Sequence, residues 1–221
     1  MPLPVQFFEE NDDPPVRGFL HTPKVATGEA VVLAHGAGSN CEAPLLVSVA
    51  TALSTMGVTT LRIDLPYRQL RPQGPPVSGS APRDRAGLRT AINALRRLVT
   101  GPFYVGGHSY GGRQASMLLA AEPALASGLL LQSYPLHPPG RPDALRTEHL
   151  PRLRVPTLFV HGRTDPFATP AELESARALI PAPTRLLSID GGHDLGWSKR
   201  RTNSDLPDRI AAALLDLVGA G

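Results

Sequence analysis

The sequence lacks most of what would mark a secreted, membrane-bound or nucleic-acid-binding chain. It has one cysteine, Cys41, so no internal disulfide can form, and a reducing compartment suits such a chain. No apolar run is long enough to span a bilayer. The first ten residues lack a basic stretch followed by an apolar one, so they do not read as a secretory signal. Charged residues make up 19%, too few for a disordered polyelectrolyte. The net charge is only +3, and no basic block is longer than Lys199-Arg200-Arg201. Binding to nucleic acid therefore has little support. No metal-ligand spacing is evident either. The expectation is a cytoplasmic protein without a nucleic-acid or membrane partner. The sequence does not give its oligomeric state.

Among what is present, 221 residues with an apolar share of 42% suit one α/β domain spanning 1–221. Short apolar or β-branched runs lie at Ala30 to Ala34, Thr59 to Leu65, Phe103 to Gly106, Leu129 to Gln132, Thr157 to Val160 and Arg185 to Ile189. Runs that are mostly apolar on both faces suit buried parallel strands. Helical stretches alternate with them at Pro44 to Met56, Arg83 to Val99, Ser109 to Ala121, Pro170 to Leu179 and Leu206 to Val218. Repeated strand–helix units predict a mostly parallel sheet covered on both faces. The segment before residue 22 has room for one or two antiparallel edge strands. Tyr67 to Pro82 and Tyr134 to Val155, both rich in proline, read as long loops.

The chemistry centres on Gly107-His108-Ser109-Tyr110-Gly111. This Gly-x-Ser-x-Gly pattern follows a strand and opens a helix, the setting in which it makes a nucleophile turn. Glycines remove side chains that would collide in so tight a turn. Ser109 is the expected nucleophile. A serine hydroxyl is weak without a base, and the order expected here is serine, acid, histidine. His193, in Gly191-Gly192-His193-Asp194, follows the last strand and fits the base better than His137, His149 or His161. Asp165 follows the strand before it, in His161-Gly162-Arg163-Thr164-Asp165, and fits the acid. Asp64 is a weaker candidate, and Asp190 and Asp194 are too close in sequence to His193.

The backbone N–H of Tyr110, at a helix start, is one expected oxyanion donor. The second is assigned to Ala37 in His35-Gly36-Ala37-Gly38-Ser39, where small residues let a substrate approach. His35 is expected to order that loop rather than titrate. Cys41 stands outside the nucleophile turn and reads as a small buried residue. Arginines recur in the loops at 68, 71, 113, 141 and 163, and Arg68 or Arg113 is a candidate to hold an anionic substrate group. The competing reading of each is an ordinary surface cation.

These four motifs, in this order, resemble an α/β-hydrolase from residue 16 onward. The resemblance is to its short, lidless members near the dienelactone hydrolases. It is closer still to small bacterial hydrolases related to the α/β-hydrolase-like subunit of a eukaryotic chromatin-modifying complex. Gly106 to Arg113 and Asp64-Leu65-Pro66-Tyr67-Arg68 carry that likeness. Dienelactone hydrolases use cysteine where this chain has Ser109. The resemblance implies an α/β-hydrolase fold with little or no lid, a small-molecule acyl substrate, and Ser109-His193-Asp165 chemistry that needs no cofactor. It also carries an alternative, a catalytically idle interaction module on the same fold.

Overall fold

A computed structural model describes residues 4–197 and 204–219. Lys199-Arg200-Arg201 lies outside the described residues. Eight strands form one sheet in the order β1-β2-β4-β3-β5-β6-β7-β8. They are β1 (Gln6–Glu10), β2 (Val16–His21), β3 (Ala30–Ala34), β4 (Thr59–Ile63), β5 (Phe103–His108), β6 (Gly128–Gln132), β7 (Thr157–Gly162) and β8 (Thr184–Ile189). From β4 to β8 every pairing is parallel, and β1 and β2 are the antiparallel edge strands expected before residue 22. The strands β3, β4, β6 and β7 are buried along their whole length. That burial is why their sequences are mostly apolar or β-branched on both faces instead of alternating.

Six helices flank the sheet among the described residues: α1 (Pro44–Thr55), α2 (Pro66–Leu70), α3 (Ala81–Arg96), α4 (Tyr110–Ala121), α5 (Pro170–Arg177) and α6 (Leu206–Gly219). Val31 and Leu33 of β3 join a core with Leu46, Val49 and Leu53 of α1 and Ile210 and Leu214 of α6. Val32, between them, joins a second core with Leu88, Ile92 and Leu95 of α3 and Leu118 of α4. This alternation follows from the two-residue period of a strand. Each such leucine contributes about 1.5–3 kcal/mol by leaving water.

Two sequence expectations need correction. Residues 66–70, mostly placed in a loop, form the short helix α2, with Pro66 in its first turn where a missing N–H costs nothing. The helix α3 starts two residues earlier and ends three residues earlier than its apolar spacing suggests. The segment 134–155 is the long loop expected, and part of it packs into the core. Tyr134, Leu136, Leu150 and Leu153 are buried in it, and Leu150–Arg152 forms a 3-10 turn.

Candidate active site

The carboxyl ends of the parallel strands share one edge of the sheet, where open α/β folds bind ligands. The loops after β3, β5, β7 and β8 deliver the predicted site residues to that edge. Ser109 joins β5 to α4 with φ 50° and ψ −115°. A positive φ is unusual for a residue with a side chain. Two hydrogen bonds hold the turn: Ser109 N–H donates to Gln132 O at 2.7 Å, and Gly111 N–H donates to His35 O at 3.1 Å. The glycines explain how the chain fits. A Cβ at Gly107 would lie 2.2 Å from Ala34 O, and one at Gly111 would lie 2.5 Å from His35 O. Only a bare backbone can pass so close to β3.

The structure brings Ser109, His193 and Asp165 together. Ser109 Oγ lies 2.9 Å from His193 Nε2. His193 Nδ1 lies 2.8 Å from Asp165 Oδ2. A carboxylate can only accept, so Nδ1 carries the proton and Nε2 is left to accept from the serine hydroxyl. The Asp165 side chain is fully buried, and its other oxygen accepts from Phe167 N–H at 2.9 Å. The Phe167 ring covers the His193 imidazole, with centroids 4.3 Å apart. The rejected acids sit elsewhere. Asp64 accepts from Cys41 N–H, Asp190 pairs with Arg163, and Asp194 accepts from Gly196 N–H.

His108 is a component that the motif pattern does not single out. Its Nε2 lies 2.9 Å from the His193 carbonyl oxygen. Burial brings its pKa down to about 4. It is thus neutral, donates from Nε2, and ties the His193 loop to the strand β5 that leads into Ser109. The unused histidines have structural partners: His149 meets Ser116 Oγ, and His161 meets Ala168 O. Cys41 is buried, which pushes its thiol up to about 12 and keeps it protonated.

The other side of Ser109 faces the loop 35–39. Among the described residues, neither Ala37 N–H nor Tyr110 N–H donates to another backbone group. The peptide groups around Ala37 are held from behind. Tyr67 OH donates to Ala37 O at 2.8 Å. His35 is fully buried, which lowers its pKa. Its Nδ1 donates to Gly36 O at 2.8 Å, and its Nε2 accepts from Leu65 N–H at 3.1 Å. His35 therefore orders the loop as a neutral side chain.

Arg68 departs from the role expected for it. It is 5% exposed. Its guanidinium donates to Ser39 O, Arg71 O, Ala37 O and Gly74 O, at 2.7, 2.9, 3.2 and 2.8 Å. Four of its five N–H groups are thereby committed to carbonyls, so Arg68 braces the loop and is not open to a substrate anion. Arg113 differs. It is half-buried beside Tyr134 and Arg146, and its Nε has no partner among the described residues.

Asp84 is a further residue that the sequence reading missed. It is completely buried in α3. One oxygen accepts from Tyr67 N–H at 3.0 Å, and the other accepts from Tyr110 OH at 2.7 Å. Both residues adjoin the backbone expected to donate to an oxyanion: Tyr110 carries one of the two N–H groups, and Tyr67 holds the Ala37 peptide. The available signal was an acid at helical spacing with Leu88 and Ile92, in a row that otherwise faces the core.

Among the described residues, no group of three or more metal-ligating side chains occurs, and no helix is long and apolar enough to cross a membrane. Solved structures share the architecture. A dienelactone hydrolase from Anabaena variabilis is 22% identical, with a TM-score of 0.72 over 98% of each chain. Est1E from Butyrivibrio proteoclasticus, solved with ferulic acid, is 16% identical, with a TM-score of 0.76 over 97% of this chain and 99% of its own. An α/β serine hydrolase without a lid from Xanthomonas campestris is 17% identical, with a TM-score of 0.68 over 100% of this chain and 96% of its own. At these identities the likeness is one of fold. The family described as the alpha/beta hydrolase domain matches residues 27–218, nearly the whole chain, and the protein belongs to that family.

Proposed function

We propose that the protein is a serine hydrolase that cleaves a carboxylic ester, or a related acyl bond such as a thioester, through an acyl-enzyme. The observation that carries this reading is the unbroken hydrogen-bonded chain from Ser109 Oγ through His193 to buried Asp165. Ser109 Oγ attacks the acyl carbon as His193 Nε2 takes its proton. Asp165 stabilises the imidazolium and keeps the ring in the useful tautomer. The N–H groups of Ala37 and Tyr110 receive the oxyanion. His193 then returns the proton to the leaving group. Water, activated by the same imidazole, attacks the acyl-enzyme and frees Ser109. None of these steps calls for a metal or cofactor. The buried thiol of Cys41 suits a cytoplasmic setting.

Labelling with a fluorophosphonate tests the reading. Wild type should label and hydrolyse short p-nitrophenyl esters, and Ser109→Ala should do neither. An absence of Ser109-dependent labelling would sink the enzyme reading in favour of the idle interaction module. Within the same reading, Arg113, which lies one helical turn after Ser109 and has a buried Nε without a partner among the described residues, is the candidate cation for an anionic substituent on the substrate. Arg113→Ala should then lower kcat/KM about tenfold for an anionic ester and leave a matched neutral ester within about twofold, on the usual worth of one charge-assisted bond. Equal losses on both esters would rule out charge recognition there.

A further inference from the structure

A cavity of about 170 Å³ opens beside the nucleophile turn, between the loop after β3 and the start of α1. Its walls include Pro44, Leu45, Leu46 and Trp197, and its inner rim includes Gly36 and His108. Both rim residues touch the chemistry. A Cβ at Gly36 would stand 3.6 Å from Ser109 Cβ and 2.9 Å from His108 Nδ1. A side chain at position 36 would therefore crowd His108 and Ser109, and glycine leaves this edge of the cavity bare. His108 directly precedes Ser109 and donates to the carbonyl of His193. The cavity thus borders the oxyanion loop, the nucleophile strand and the loop that carries the base.

The chemistry of the lining selects the occupant. The walls are mostly aliphatic carbon and an indole, with Ser39 and the neutral His35 also in the lining. His108, on the rim, is neutral because burial holds its pKa near 4. The one carboxylate in the lining, Asp194, is exposed and gives an oxygen to Gly196 N–H. A second carboxylate would be repelled there, and a cation would have to leave water for apolar walls. An uncharged apolar group fits. For scale, a dry cavity of about 150 Å³ lined by aliphatic side chains holds one benzene ring, so the room here is for about six carbons.

We infer that this cavity receives the apolar arm of the substrate, up to about six carbons long. The inference rests on Ser109 being the nucleophile. The arm belongs either to the acyl group or to the leaving alcohol, and two ester series distinguish them. The first lengthens the acyl chain on a fixed ethyl ester. The second lengthens the alcohol on a fixed acetate, and both are followed by proton release. Within one series kcat/KM should rise by up to about fourfold per carbon, the factor that corresponds to burying one methylene, and it should stop rising near six carbons.

Leu46→Phe narrows the cavity and should cut the six-carbon to two-carbon ratio of kcat/KM by at least about tenfold. Trp197→Ala widens it and should move the optimum to longer arms. Trp197 is only partly buried, so its removal tests the cavity even if Leu46→Phe fails to fold. If Ser109-dependent turnover persists and neither variant moves the profile, the cavity assignment is wrong and the hydrolase reading stands. If no ester is turned over by a Ser109-dependent route, the hydrolase reading itself falls.

Discussion

Two regions meet at Ser109, and they are built in opposite ways. The side to which we assign proton movement, with His193 and Asp165, sits on two turns that follow adjacent strands. Those turns interlock through bare backbone: a Cβ at Gly162 would lie 2.1 Å from Gly192 O. Few side chains take part, and His193 is 26% exposed at its side chain. The side to which we assign the oxyanion is a buried polar network. His35, Tyr67, Arg68 and Asp84, all buried, hold the peptide groups of residues 36–39 and the Tyr110 side chain. In the proposed mechanism the base swings a proton between two partners, so some freedom suits it. The oxyanion donors must be in place before charge develops, because their value lies in needing no reorganisation.

The largest effect should come from the proton-moving side. Asp165→Asn keeps the shape but presents an amide that can reverse the His193 tautomer. We expect kcat to fall by about 10⁴ while KM stays within about threefold, on the precedent of serine triads. The labelling rate with a fluorophosphonate should fall in parallel. A loss under about tenfold would mean that another group orients His193.

A smaller effect, on the oxyanion side, would sharpen the contrast. Removing one oxyanion donor costs about 10²–10³ in kcat. Misaligning a donor should cost less, so Asp84→Asn is expected to lower kcat about 10- to 100-fold. KM should be nearly unchanged, because the network acts on the transition state. Tyr67→Phe, which removes only the hydroxyl that holds Ala37 O, should lower kcat about fivefold, the worth of a neutral hydrogen bond. Single-turnover acylation and the thermal midpoint should be measured together. If activity falls only in proportion to the folded fraction, Asp84 is a core residue and nothing more.

The same contrast explains what could be read from the sequence. Ser109, His193 and Asp165 each end a strand–turn pattern with its own glycines, so local context marks them. The strands were legible because burial on both faces leaves long apolar runs. Tyr67 and Asp84 carry no such mark. One stands in a five-residue helix hidden in a proline-rich stretch, and the other stands between Arg83 and Arg85 in a helix that looks like a charged surface. Their roles exist only once α2 and α3 pack behind the loop after β3. Arg68 shows the converse. An arginine near a site reads as an anion binder until its four carbonyl partners are known.

The smallest effect is one of stability, and it separates the network from the proton-moving side by pH. Burial lowers the pKa of His21 to about 4, with Arg62 adding to the effect. Burial also takes His108 and His149 to about 4 and lowers His35. Each is built to be neutral: Arg62 Nε–H, for example, donates to His21 Nε2 at 2.8 Å. In the unfolded chain these groups titrate near about 6.5. Between those values the unfolded chain binds protons that the folded chain refuses. Stability is therefore full above the unfolded value and is lost as the pH falls toward 4. The urea midpoint should drop steadily from pH 7 to pH 5, where few carboxylates have begun to titrate. His21→Gln, which keeps an acceptor for Arg62, should flatten that slope by roughly one proton's share. His21 packs far along β2 from the site chemistry, so kcat for a good ester should follow the same pH profile in this variant as in wild type. A midpoint that does not move between pH 7 and pH 5 would mean that these imidazoles take up protons in the folded state, and that the hydrogen-bond directions assigned to the network are reversed.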